Sequence, residues 1–154
     1  MRLPPGATGF HAPGGRADVR AFTAVCHHAA RALGATVTGV TPAGVTPSFH
    51  TVDIAAARHH VAVLRHVAVL RHVAVPFIAF ARPRAGGDAT VTFVDHPGLA
   101  AVLATLTDAR VLTVDRLGMP LSQADLSALD RAEHDQIGYW TPATVGELLF
   151  NFWD

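Results

Sequence analysis

The chain has 154 residues, half of them hydrophobic and few charged, with no net charge when histidine is neutral. That is one domain's length, enough to build a core without metal or disulfide staples. The charge balance argues against electrostatic binding to nucleic acid or an anionic membrane, which normally shows as a basic excess. All twelve basic residues are arginine, which removes lysine Schiff-base chemistry and any P-loop lysine. Cys26 is the sole cysteine, so no internal disulfide forms and the fold does not depend on an oxidising compartment.

Residues 1–15, MRLPPGATGFHAPGG, are rich in Pro and Gly and are expected as a flexible amino-terminal arm. Residues 16–154 are expected as a single α/β-type domain. The arm lacks the apolar stretch of a secretory signal, and nothing approaches the roughly 18 uninterrupted apolar residues of a membrane span. A cytoplasmic location is therefore expected.

Val19, Phe22, Cys26, Ala29 and Leu33 fall at helical spacing, and Gly34 supplies a stop. Cys26 lies on that apolar stripe, which predicts a buried structural thiol, while His27 and His28 point away from it. Residues 35–40 (ATVTGV) and 49–55 (FHTVDIA) read as strands.

His60 to Phe77 is HVAVLR-HVAVLR-HVAVPF, a tandem hexapeptide repeat. An even period keeps each side chain on one face of a strand, with His, Ala and Leu on one side and Val and Arg on the other. A single strand from His59 to Ala81 would be 23 residues, about 75 Å at 3.3 Å per residue. A domain of this size has a radius of gyration of about 15 Å. The segment must therefore divide, and pieces near 60–66 and 72–81 are expected. Pro76 is its one breaker.

After the loop RPRAGGD, residues 90–95 read as a strand, 96–106 as a helix with Pro97 in its first turn, and 110–115 as a returning strand. This is a βαβ crossover pattern. Ser122 with Asp125, and Asp130 with Glu133, look like helix caps. Thr141 followed by Pro142 predicts a last helix running through Phe152. The fold class expected is α+β, or α/β: a mixed sheet of five to six strands, one βαβ crossover unit, an amino-terminal helix and a helical carboxyl-terminal cap.

Three sets of residues carry candidate chemistry. Ten histidines suggest metal binding, but those of the repeat recur every six residues. Along a strand that separates neighbours by about 20 Å, whereas the ligands of one ion lie within about 2.1 Å of it. No H-x-x-x-H or C-x-x-C pair occurs, so neither a metal nor a cofactor is expected. Asp95, His96 and Asp115 close the strands of the crossover unit, at the edge where open α/β sheets usually bind ligands; Asp53 lies in a similar string. The favoured reading, since nothing else completes an active site, is that Asp95 caps the helix through Pro97 and Asp115 begins a turn.

The third set is aromatic. Both tryptophans, the only tyrosine and two of eight phenylalanines lie between Tyr139 and Trp153. Tyr139, Trp140, Phe150 and Trp153 are the expected interaction residues, bordered by Glu147 and Asp154. No G-x-S-x-G or phosphate-binding glycine loop is present. The function expected is that of a small interaction or accessory protein, a regulator or immunity-type binder, without catalysis of its own. Its partner is a protein or a second copy in a homodimer, not nucleic acid or membrane. The alternative is a small enzyme or ligand-binding domain using Asp95, His96 and Asp115.

Overall fold

Helix α1 (Val19–Ala32) starts where the Asp18 carboxylate accepts the Arg20 N–H, and it buries Phe22, Cys26, Ala29 and Ala30. Gly34, at φ +69°, takes the left-handed turn that ends it and leads into the sheet. The computed structural model describes residues 1–56, 66–84 and 88–153.

Four antiparallel strands follow in spatial order: β1 (Ala35–Thr41), β2 (Phe49–Ala56), β3 (His66–His72) and β4 (Phe77–Ala81). Two short strands share the far edge of β4. β5 (Phe93–Val94) pairs antiparallel with Phe80 and Ala81, and β6 (Arg110–Val111) pairs parallel with Phe77 and Ile78. Helix α2 (Pro97–Leu106) connects them. The mixed six-stranded sheet is thus as the sequence indicates, but the βαβ unit is not: β5 and β6 run antiparallel to each other, each taking half of the same β4 edge, and the parallel pair is β4 with β6. β5 and β6 are shorter than 90–95 and 110–115 because a five-residue strand offers each only half an edge.

The repeat divides, but at Val73–Pro76. Its second copy, with His72, is β3, and its third copy makes the turn into β4. Pro76 ends the pairing, and the half-buried Arg71 guanidinium donates to the His72 and Val75 carbonyls, clasping the turn. A side chain thus does what Gly, Asn or Asp would ordinarily do. The expected piece near 60–66 lies, apart from His66, outside the described residues.

The two faces read from the even period are both buried. Ala68 and Leu70 enter a core with Phe49, Leu112, Leu148 and Phe150. Val67 and Val69 enter a second core under α1 and α2 with Ile54, Phe80, Leu99 and Leu103. This is why β3 lies inside the sheet, between β2 and β4, and offers no free edge.

The first core is closed by α3 (Val114–Leu117), a 3-10 turn (Leu121–Gln123), α4 (Arg131–Trp140) and α5 (Val145–Leu149). The final helix starts at Thr144 rather than Thr141. Thr141 adopts the left-handed conformation that caps α4, at φ 48°. The Thr144 hydroxyl then accepts the Glu147 N–H while Glu147 accepts from Ala143 N–H, so the cap sits three residues later, with the Glu147 carboxylate reaching back to the residue before it.

Residues 1–15 also pack onto this core, with Leu3 and Ala7 fully buried. Their backbone groups are satisfied by side chains of the body. The Glu133 carboxylate accepts from Gly6 N–H, Thr8 N–H and the Thr8 hydroxyl. His72 Nε2 bonds the Ala7 carbonyl, and Asn151 donates to Thr8 O. Among the described residues, no helix is long and apolar enough to cross a membrane.

Candidate functional site

The carboxyl-terminal aromatics line a cleft of about 500 Å³ between the end of α4, α5 and the segment before β5. Phe93 and the buried Phe150 form its floor, with ring centroids 5.8 Å apart and edge-on. The walls are Trp140 and Trp153, whose planes are parallel within 2° at 6.0 Å between centroids. Both indoles are half-buried. Tyr139 stands outside against Trp140 and is 78% exposed, unusual for so large an apolar ring.

The local sequence explains this placement. Trp140 is the last residue of α4, and its indole N–H donates to Gln136 one turn earlier. The left-handed Thr141 and Pro142 reverse the chain, so α5 runs beside the cleft. Gly146 permits the approach: a Cβ there would meet the Phe93 ring at 2.6 Å and the Leu117 carbonyl at 2.9 Å. Beyond α5, Asn151 donates to the Leu148 and Thr8 carbonyls and accepts from Trp153 N–H, which fixes Trp153. Arg84 lies over the Phe152 ring at 4.6 Å and the Phe49 ring at 5.4 Å.

Of the four expected interaction residues, Tyr139, Trp140 and Trp153 stand together at the surface, while Phe150 belongs to the core. Glu147 is exposed on the cleft wall; Asp154 lies outside the described residues. Phe93 and Gly146 are not marked by the sequence, since nothing local distinguishes a floor residue from any other core position.

At the strand ends, Asp95 is exposed and its carboxylate accepts the Val114 N–H, capping α3. His96 Nδ1 accepts the Leu99 N–H and caps α2. Asp115 is exposed in the first turn of α3, where a carboxylate suits the positive helix end. Asp95 and His96 thus have structural employment at two helix starts. Asp53 lies within β2, away from that edge, and burial raises its pKa despite His66 and Arg84 nearby.

Cys26 is fully buried, and burial pushes its thiol up to about 12, so it is held as an unreactive thiol. His27 and His28 are exposed, as the helical stripe indicates. His72 is fully buried; its Nδ1 accepts the Ala74 and Val75 N–H groups. Burial above all, with Arg71 and Arg16 nearby and against the bond to the Ala7 carbonyl, lowers its pKa to about 4.

One set the sequence reading missed lies at the start of α4. His11 Nε2 is 3.0 Å from the Asp130 carboxylate, and Glu133, fully buried, completes a group whose ligand atoms lie within 4.8 Å of one another. Asp130 and Glu133 are legible as a cap, but their meeting with His11, about 120 residues away, is not. No protein-family model, curated protein or solved structure matches this chain.

Proposed function

We propose that this chain is a small interaction or accessory protein without catalysis of its own, and that it holds its partner at the Tyr139–Trp140–Trp153 cleft. The observation that carries this reading is an exposed tyrosine beside two parallel, half-buried indoles around an open cleft. Tyr and Trp give large rigid contact area at small entropic cost and are the residues most enriched at interface centres. The polar rim of Thr90, Thr141 and Glu147 supplies hydrogen-bonding groups around an apolar floor, the usual anatomy of a protein interface. An extended segment of a partner protein is the ligand that such a cleft fits. The alternative site at Asp95, His96 and Asp115 has less support, because Asp95 and His96 accept helix N–H groups. A cytoplasmic setting and self-association remain part of the proposal.

The test uses the two tryptophans as their own reporters. Peptides selected on the folded protein from a displayed random library should change its tryptophan fluorescence in a saturable way. Tyr139→Ala and Trp153→Ala should weaken that binding at least about tenfold, as for interface centres generally. Selected peptides that bind both variants as tightly as the wild type would place the interaction elsewhere.

A further inference from the structure

His11, Asp130 and Glu133 bring an imidazole and two carboxylates together from opposite ends of the chain. His11 is half-buried, Asp130 is exposed and Glu133 is fully buried. Two atoms that ligate one ion at about 2.1 Å stand about 3.0 Å apart at a right angle. His11 Nε2 and Asp130 Oδ2 are separated by 3.0 Å. The ligand atoms of the whole set lie within 4.8 Å of one another.

Glu133 supplies an independent reason to look for a cation. A carboxylate with no exposure is normally paired with a positive group or bound to a metal. Among the described residues, no arginine makes an ion pair with it; its partners are the neutral donors of Gly6 and Thr8. Those bonds occupy Oε1 with two donors and Oε2 with one, which leaves a lone pair on Oε2 for an ion, and they orient the carboxylate as outer hydrogen bonds do for metal-ligating carboxylates. Asp130 is oriented in the same way, since its other oxygen caps Glu133 N–H.

We propose that His11, Asp130 and Glu133 bind one first-row divalent cation of zinc's class. Imidazole with carboxylate is a donor set for such ions rather than for calcium or magnesium, which take oxygen ligands. Three protein ligands leave further positions for water. The ion would clamp residues 6–11 to the start of α4, on top of the bonds that Glu133 already makes there. This goes beyond the docking reading, because the set is separate from the residues that line the aromatic cleft.

The experiment titrates zinc chloride into the full chain by calorimetry, with thermal melting in parallel. Asp130→Asn keeps a good helix cap while removing a charged ligand, and His11→Ala changes a half-exposed residue. One-site binding should weaken at least about tenfold in each. The melting temperature should rise with zinc for the wild type and much less for either variant. Because the chain has nine other histidines, a His27→Ala, His28→Ala variant and a deletion of residues 60–65 serve as controls and should bind as the wild type does. No saturable binding in the wild type overturns the proposal. So does binding that His11→Ala and Asp130→Asn leave unchanged.

Discussion

On one face of the sheet, α1 and α2 lie over Val52, Ile54, Val67, Val69, Ile78 and Phe80. Regular helices satisfy their own backbone there, so almost nothing but apolar side chains is needed. On the other face, residues 1–15, three short helices and irregular chain cover Phe49, Leu70, Phe77 and Ala79. Irregular chain cannot bond to itself, and its buried N–H and C=O groups must be met by side chains. Glu133, His72, Asn151 and Ser48 meet them, and all four are buried. The first face is held mainly by area, with His50 as a buried polar group that bonds Ala43 N–H and the Ala17 carbonyl. The second is held by area together with a few buried polar contacts, and that makes it sensitive to single substitutions and to acid.

The largest expected effect comes from removing the cover of the second face. Deleting residues 142–154 takes away Val145, Leu148, Leu149 and Phe150, all in the core. Truncating one buried phenylalanine costs about 3–5 kcal/mol, against a usual total of about 5–15 kcal/mol. The shortened chain should lack a cooperative thermal transition. An unchanged melting temperature would mean that the segment is a binding tail and not a structural cover.

Glu133→Ala sharpens the comparison. It strands Gly6 N–H, Thr8 N–H and the Thr8 hydroxyl and should cost about 3–5 kcal/mol in urea unfolding, as for other buried charged hydrogen bonds. Leu103→Ala, under α2, should cost a comparable 2–5 kcal/mol or so by leaving a cavity. Hydrogen exchange separates the two. The first should release the amides of residues 6–8 selectively, while the second should leave them protected. Equal loosening of both faces by Glu133→Ala would dissolve the distinction.

Acid should act on the polar face through His72. Its folded pKa is about 4, below the roughly 6.5 of an unfolded histidine. The unfolded chain therefore binds the extra proton first as pH falls. The contribution is complete above about pH 6.5 and is lost between there and about pH 4, for a total of about 3 kcal/mol. His50 is shifted the same way by burial and adds to the slope. Denaturant titrations at several pH values should show the loss, and His72→Gln should flatten it. A wild-type profile flat from pH 7 to 4.5 would remove His72 as the sensitive group.

The smallest effect concerns the strand that belongs to both faces. Nine residues, 57–65, join β2 to β3. Deleting one HVAVLR unit leaves β3 unchanged in sequence and shortens that connection to Ala57, Arg58 and His59, an ordinary hairpin length. A connection three times shorter should stabilise the fold by about 1 kcal/mol through loop-closure entropy. Light scattering decides the rest: loss of a dimer on deletion would show that the extra copy builds an interface.

Periodicity and caps carried much of this fold in the sequence. The stripe from Val19 to Leu33, the strands at 35 and 49, the two faces of the repeat and the helix after Pro97 all depend on neighbours within a few residues, and spacing records such relations. The aromatic cluster of the candidate cleft was legible too, since Tyr139 to Trp153 is one short stretch. Only tertiary structure decided that residues 1–15 cover a core, that β5 and β6 divide one strand's edge, and that Arg71 clasps the turn at Pro76. It alone brought His11 to Asp130 and Glu133, and it spent Asp95 and His96 on helix caps. Each of these depends on which distant group stands opposite a given side chain, and one chain read in order holds no record of that.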